Sequence, residues 1–210
     1  IPANTSSLYK TFLENVYNIH MDQVYDLWVS KIREVDPNIP IILESFAYST
    51  PELFPPYEVN DPFIVYSAHD YQPNEYTKAQ DPFSVTYPGT YWNITFLSQR
   101  LYDAQFLRET IFGKLKEFQE SNGAPVFIGE FGMIQPQIGG EQYLGDLMTI
   151  LKDYGWHYAI WDWRRQSGSN WTIELFNDVG NLHWKTVLSH FYAPPVPHLT
   201  FPLNGTVLGD

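Results

Sequence analysis

The 210-residue chain contains no cysteine, which excludes a disulfide framework, a thiolate metal site and a thiol nucleophile. Basic residues are scarce: Lys and Arg total 12 against 24 Asp and Glu, a formal charge of −12. The electrostatic footprint of a nucleic-acid binder, or of a protein held on an anionic membrane, is therefore missing. No apolar run approaches the roughly 18 residues of a membrane-spanning helix, and no basic-then-apolar signal segment opens the chain. Either the protein is intracellular or its targeting segment has been removed. The six histidines are scattered without an H-x-x-x-H or H-x-H pair, so no metal centre is expected. No G-x-S-x-G nucleophile elbow occurs.

What is present is a globular composition. Hydrophobic residues make up 44% and charged residues 17%, enough apolar surface for a core in a chain of single-domain length. Aromatics reach 17%, with 7 Trp and 15 Tyr. Tyr and Trp combine an apolar face with a polar edge, the surface complementary to a sugar ring, although many such residues simply fill a core. Asn-x-Ser/Thr triplets at Asn4, Asn93, Asn170 and Asn204 exceed chance and point to a secreted, extracellular chain.

Along the chain, apolar residues recur at helical spacing through Leu8, Phe12, Val16, Val24, Leu27, Trp28 and Ile32, predicting a helix or two in line over 7–35. Asp36-Pro37-Asn38 ends it, and Ile39-Pro40-Ile41-Ile42-Leu43 follows as a short all-apolar run of the kind buried on both faces of a parallel sheet. A proline-rich loop over 46–62 leads to a second run, Phe63 to Tyr66, ending at His69. A long loop over 70–94, a helix over 95–120 stopped by Asn122-Gly123, a third strand at Val126 to Gly129, a helix over 140–153, a fourth strand at His157 to Trp161 and a last helix over 181–192 complete the reading. Strands alternating with helices predict parallel βα units. A closed (β/α)₈ barrel needs eight strands and about 250 residues, so four strands over 1–192 predict the C-terminal half of such a barrel. The alternative, a small open α/β sheet, usually carries a G-x-G-x-x-G turn, and none is present. The tail 193–210, opening Ala-Pro-Pro-Val-Pro, reads as a linker to a further module or as a strap on the barrel.

In such barrels reactive residues sit at the carboxyl ends of strands. Those ends carry Glu44, His69 with Tyr71, Glu130, and Trp161 with Asp162. Three motifs stand there in order: Ala68-His69-Asp70-Tyr71, Ile128-Gly129-Glu130-Phe131-Gly132 and Ile160-Trp161-Asp162-Trp163. Together they resemble the sixth, seventh and eighth strand ends of glycoside hydrolase family 5, the cellulase and mannanase family of retaining glycosidases, over roughly residues 7–192. The resemblance implies a β/α barrel, no cofactor, and retaining hydrolysis of β-glycosidic bonds in a polysaccharide, as in an endo-β-1,4-glucanase. It makes Glu130 the nucleophile, Tyr71 the hydrogen-bond donor that holds Glu130 in line, His69 the group that orients the acid/base carboxyl or a sugar hydroxyl, and Trp161 the platform under the sugar at the cleavage subsite. Trp92, Trp163 and Trp171 are candidates for outer subsites, with packing as the plain reading of each.

One departure limits this. Retention needs a second carboxyl about 5–5.5 Å from the nucleophile, which the family supplies from an Asn-Glu pair at its fourth strand. No such pair opens this chain, and Asn74-Glu75 falls in the loop after the second strand. Glu44 belongs to a strand where family members often carry a structural acid, and Asp162 should point away from the lumen if Trp161 points in. The acid/base is therefore expected outside this chain, and a glycan-binding half-barrel without hydrolysis is the alternative function. Four strands also leave two open edges, so a homodimer of half-barrels, or docking to the N-terminal half, is expected.

Overall fold

The computed structural model describes residues 11, 14–15, 20–45, 47–53, 58–134, 137–163, 171, 187 and 189–190. Of the helix or two in line expected over 7–35, residues 11, 14 and 15 are helical, His20 is not, and Met21–Val35 form α1. The last helix over 181–192 and the tail 193–210 lie largely or wholly outside the described residues.

Four short strands follow from the four apolar runs: β1 (Ile41–Glu44), β2 (Ile64–Asp70), β5 (Val126–Phe131) and β6 (His157–Ile160). They form one parallel sheet in the order β1-β2-β5-β6, so every strand delivers its carboxyl end to the same edge. Helices lie in the β2–β5 and β5–β6 crossovers, while the described part of the β1–β2 connection holds two short 3₁₀ turns, Ala47–Ser49 and Pro51–Leu53.

The connection from β2 to β5 differs from its sequence pattern. Asn74-Glu75 opens a single helical turn, α2 (Asn74–Thr77), and residues 89–102 form an antiparallel hairpin, β3 (Gly89–Asn93) with β4 (Ser98–Tyr102). The 95–120 helix therefore starts only after Asp103, whose carboxylate accepts from the Phe106 N–H at 2.8 Å as a side-chain N-cap. It runs through α3 (Ala104–Phe106), a π turn (Leu107–Ile111) and α4 (Gly113–Asn122), and stops at Gly123 in the left-handed region (φ 61).

Asn93 explains the hairpin. Its Oδ1 accepts from the N–H groups of Thr95 and Phe96, closing the turn, while Nδ2 donates to Glu52 at 2.9 Å and to the Tyr102 hydroxyl at 2.8 Å. With every polar atom used and the residue fully buried, Asn93 has no room for a glycan. This removes one of the four triplets as a modification site, and the other three lie outside the described residues.

The core lies between the outer face of the sheet and the helices. The apolar stripe of α5 (Gly140–Asp153), including Leu144, Leu147, Met148 and Leu151, is completely buried with Leu107, Ile111 and Leu115 against Ala68, Ile128 and Phe131. Each such side chain contributes about 1.5–3 kcal/mol relative to exposure. The α1 helix is anchored more sparsely. Only Tyr25 and Val29 are buried, whereas Leu27, Trp28 and Ile32 are exposed despite their helical spacing. A two-pronged ion pair from Arg33 to Asp61, at 2.7 and 2.9 Å, fixes its C-terminal end. The pair holds Asp61 below its usual pKa and Arg33 above.

Candidate active site

The strand ends converge as the parallel sheet demands. On β1 and β2, alternation sends Leu43, Tyr66 and Ala68 into the core and leaves Glu44 and His69 on the other face. Asp70, next to His69, is buried on the core side. Glu130 reaches the His69 face through an irregularity. Ser67 pairs with Phe127 and Ala68 with Ile128, but His69 pairs with Glu130, so β5 carries one extra residue here. A bulge re-aims the following side chain. Strict alternation from Ile128, which is buried in the core, would have sent Glu130 to the core as well.

Gly129, the extra residue, is required by crowding. A Cβ at this position would lie 2.8 Å from Ser67 Oγ and 3.1 Å from His69 Nε2. Gly132 has a parallel role, because a Cβ there would lie 2.1 Å from the Trp161 carbonyl oxygen. The Trp161 N–H in turn donates to the Phe131 carbonyl at 2.7 Å. The close approach of these two segments fixes Trp161 beside the end of β5.

The polar groups form one connected set. The Tyr71 hydroxyl donates to Glu130 Oε2 at 2.8 Å. His69 Nδ1 lies 3.9 Å from the same oxygen, and His69 Nε2 meets Glu44 Oε1 at 2.9 Å. Ser67 donates to that Glu44 oxygen at 3.1 Å. Burial pushes the Tyr71 phenol far above its usual range, assisted by its bond to Glu130 and by the charges of Glu130, Asp70 and Asp162. Tyr71 therefore remains a donor at any working pH. Asp70 is pushed up to about 7 by complete burial, against the opposing bond from the Gln72 N–H. The Tyr71 ring packs edge-on against Trp171 at 5.5 Å and under the Lys78 ammonium at 5.1 Å.

An open cleft of about 610 Å³ runs along this face, lined by Glu44, His69 and Glu130 and by apolar groups including Trp28, Ile42 and Phe127. Trp161 and Trp163 follow β6 directly and are 41% and 38% exposed, while Asp162 between them is buried. Trp92 stands on the hairpin, 48% exposed, and its backbone N–H donates to Glu75. None of these three tryptophans lines the cleft. Ser67 supports the site from outside the three motifs, through its bond to Glu44, and Gly129 and Gly132, which stand inside the second motif, support it by leaving room for close packing. For Gly129 a signal was available, since a glycine inside a strand often marks a bulge.

Among the described residues, the group whose donor atoms cluster closely enough for a metal is Glu14, His20 and Asp22, within 4.8 Å of one another. It shares no residue with the cleft. No helix among the described residues is long and apolar enough to cross a membrane.

Comparison with known proteins converges on one family. The family model described as Cellulase (glycosyl hydrolase family 5) matches residues 13–167. Endoglucanase C of Acetivibrio thermocellus is 25% identical over 179 residues, covering 72% of this chain and 50% of the relative. Endoglucanase C307 of Clostridium sp. (strain F1) is 25% identical over 178 residues, covering 71% and 49%. The chain thus spans about half the length of the curated relatives it matches. Among solved structures, cellulose synthase subunit Z of Clostridioides difficile superposes with a TM-score of 0.61 at 16% identity, covering 82% of this chain and 56% of the other. Thermotoga maritima Cel5A in complex with cellobiose, in a mutant form, gives 0.60 at 18%, covering 82% and 53%. At these identities the structures speak to the fold alone, and they match the four parallel strands as part of a (β/α) barrel. The chain belongs to glycosyl hydrolase family 5, the cellulase family.

Proposed function

We propose that this chain supplies the nucleophile side of a retaining β-glycosidase, an endo-β-1,4-glucanase acting on a polysaccharide. The single observation that carries the reading is the Tyr71–Glu130 hydrogen bond of 2.8 Å at the carboxyl edge of the sheet, with His69 beside it. Glu130 attacks the anomeric carbon while an acid/base carboxyl, contributed from outside these 210 residues, protonates the departing oxygen. The glycosyl ester is then cleaved by water, which gives its proton to the acid/base as Glu130 leaves, and the β-configuration is retained. Glu44 is occupied with His69 and Ser67 and is not assigned the acid/base role. Trp161 is the platform under the sugar, with Trp163 and Trp92 serving outer subsites.

A polymer substrate cannot enter a cell, which supports an extracellular location. The outer edges of β1 and β6 have no paired strand among the described residues. Exposed Trp28 and Ile42 in the cleft beside β1 add apolar surface, and both features support association with the remaining barrel half or with a second copy.

Reducing-end release from a soluble β-1,4-glucan, measured on a preparation containing both barrel halves, tests the reading. Release that disappears on Glu130→Gln is the expected result. Saturable oligosaccharide binding with no release in that preparation would replace hydrolysis by glycan binding.

A further inference from the structure

We infer that Glu44 is a positioning residue that sets the proton on His69 and thereby keeps its Nδ1 as an acceptor beside the nucleophile. The consequence for catalysis rests on the glycosidase reading of Glu130, whereas the arrangement itself does not. Three observations support it. First, Glu44 Oε1 lies 2.9 Å from His69 Nε2 and also accepts from Ser67 at 3.1 Å. An ionised carboxylate only accepts hydrogen bonds, so the ring must carry its proton on Nε2. Second, Ser67 is fully buried, and its hydroxyl anchors the same oxygen from beneath the cleft. Third, the absence of a side chain at Gly129 leaves the space that His69 Nε2 and Ser67 Oγ occupy, since a Cβ would crowd both.

With Nε2 committed to Glu44, the neutral ring presents an unprotonated Nδ1 towards Glu130. The 3.9 Å from Nδ1 to Glu130 Oε2 is too long for a direct hydrogen bond. It leaves Nδ1 as an acceptor for a sugar hydroxyl. Tyr71 already donates to the same Oε2. The opposite tautomer would carry its proton on Nδ1 and so remove that acceptor. Glu44 acts on the chemistry through His69, from a side chain that is itself about half exposed. Its substitution should therefore leave the fold intact.

The test is the ring tautomer, read by long-range proton–nitrogen correlation on the ¹⁵N-labelled chain with the ring neutral. The expected wild-type pattern for His69 is protonation at Nε2. Glu44→Ala should shift it to Nδ1 or to an exchanging mixture, and Glu44→Gln, whose amide oxygen can still accept, should restore it. In the complete barrel the Ala variant should lower kcat about tenfold or more with little change in KM, and Gln should recover most of the loss. A wild-type His69 protonated at Nδ1, or an unchanged tautomer in Glu44→Ala, would overturn the proposal. The wild-type spectrum decides the matter even if the Ala variant fails to fold. A covalent substrate label away from Glu130 would remove the glycosidase reading and leave the tautomer result standing.

Discussion

Two neighbouring residues, Asp70 and Tyr71, show how burial sets chemistry here. Tyr71 keeps its proton because an ionised phenol would be half-desolvated beside a carboxylate. Asp70 is completely buried behind His69, with a pKa raised to about 7. The sign of its effect on stability follows directly. In the unfolded chain Asp70 loses its proton near the ordinary carboxylate value of 3.8, whereas the folded protein holds it until about 7, so between these values the native state binds more protons. Stability from this group therefore falls as pH rises from about 4 to 7 and is level above that. The full difference is on the order of 4 kcal/mol. Asp70→Asn should remove this slope: urea unfolding at pH 5 and pH 8 is expected to show the variant gaining on the wild type at the higher pH. A constant difference between the two proteins across that range would contradict the assignment.

At the level of elements, the hairpin hangs on Asn93 and the buried Glu52. Thr95 and Asn93 both donate to Glu52 Oε1, and Asn93 also closes the β3–β4 turn. Asn93→Ala would leave a buried carboxylate short of a donor and open the turn, at a cost of about 3 kcal/mol. A lowered urea midpoint with an unchanged slope checks it. A shift under about 0.5 kcal/mol would show that the network does not hold the hairpin. The same elements show what sequence could and could not reveal. The four strands were legible because each is an uninterrupted apolar run, and Glu130, His69 and Tyr71 because they stand at the ends of such runs. The hairpin was not: Leu97 and Leu101 stand four residues apart, as on one helix face, and the turn that breaks the helical pattern depends on the Asn93 side chain. The bulge at Gly129 was signalled only by the glycine itself, since a period-two pattern cannot state where one residue is extra. The α1 helix shows the converse, since helical spacing located it correctly while its Leu27, Trp28 and Ile32 stay exposed.

The whole molecule presents a sheet with two unpaired outer edges among the described residues and an apolar cleft beside one of them. Two-fold pairing of such sheets would bring eight strands together. The chain alone should therefore sediment near twice its mass of 24.5 kDa, and a monodisperse monomer would show that the edges are covered otherwise. In the proposed mechanism Glu130 forms the covalent bond to the sugar. Its most direct test is incubation of the complete barrel with a 2-deoxy-2-fluoro-β-cellobioside bearing an activated leaving group, followed by peptide mass mapping. One ester adduct on Glu130, lost in Glu130→Gln, is the expected result. A label on another carboxylate, or hydrolysis that continues at full rate in Glu130→Gln, would contradict it.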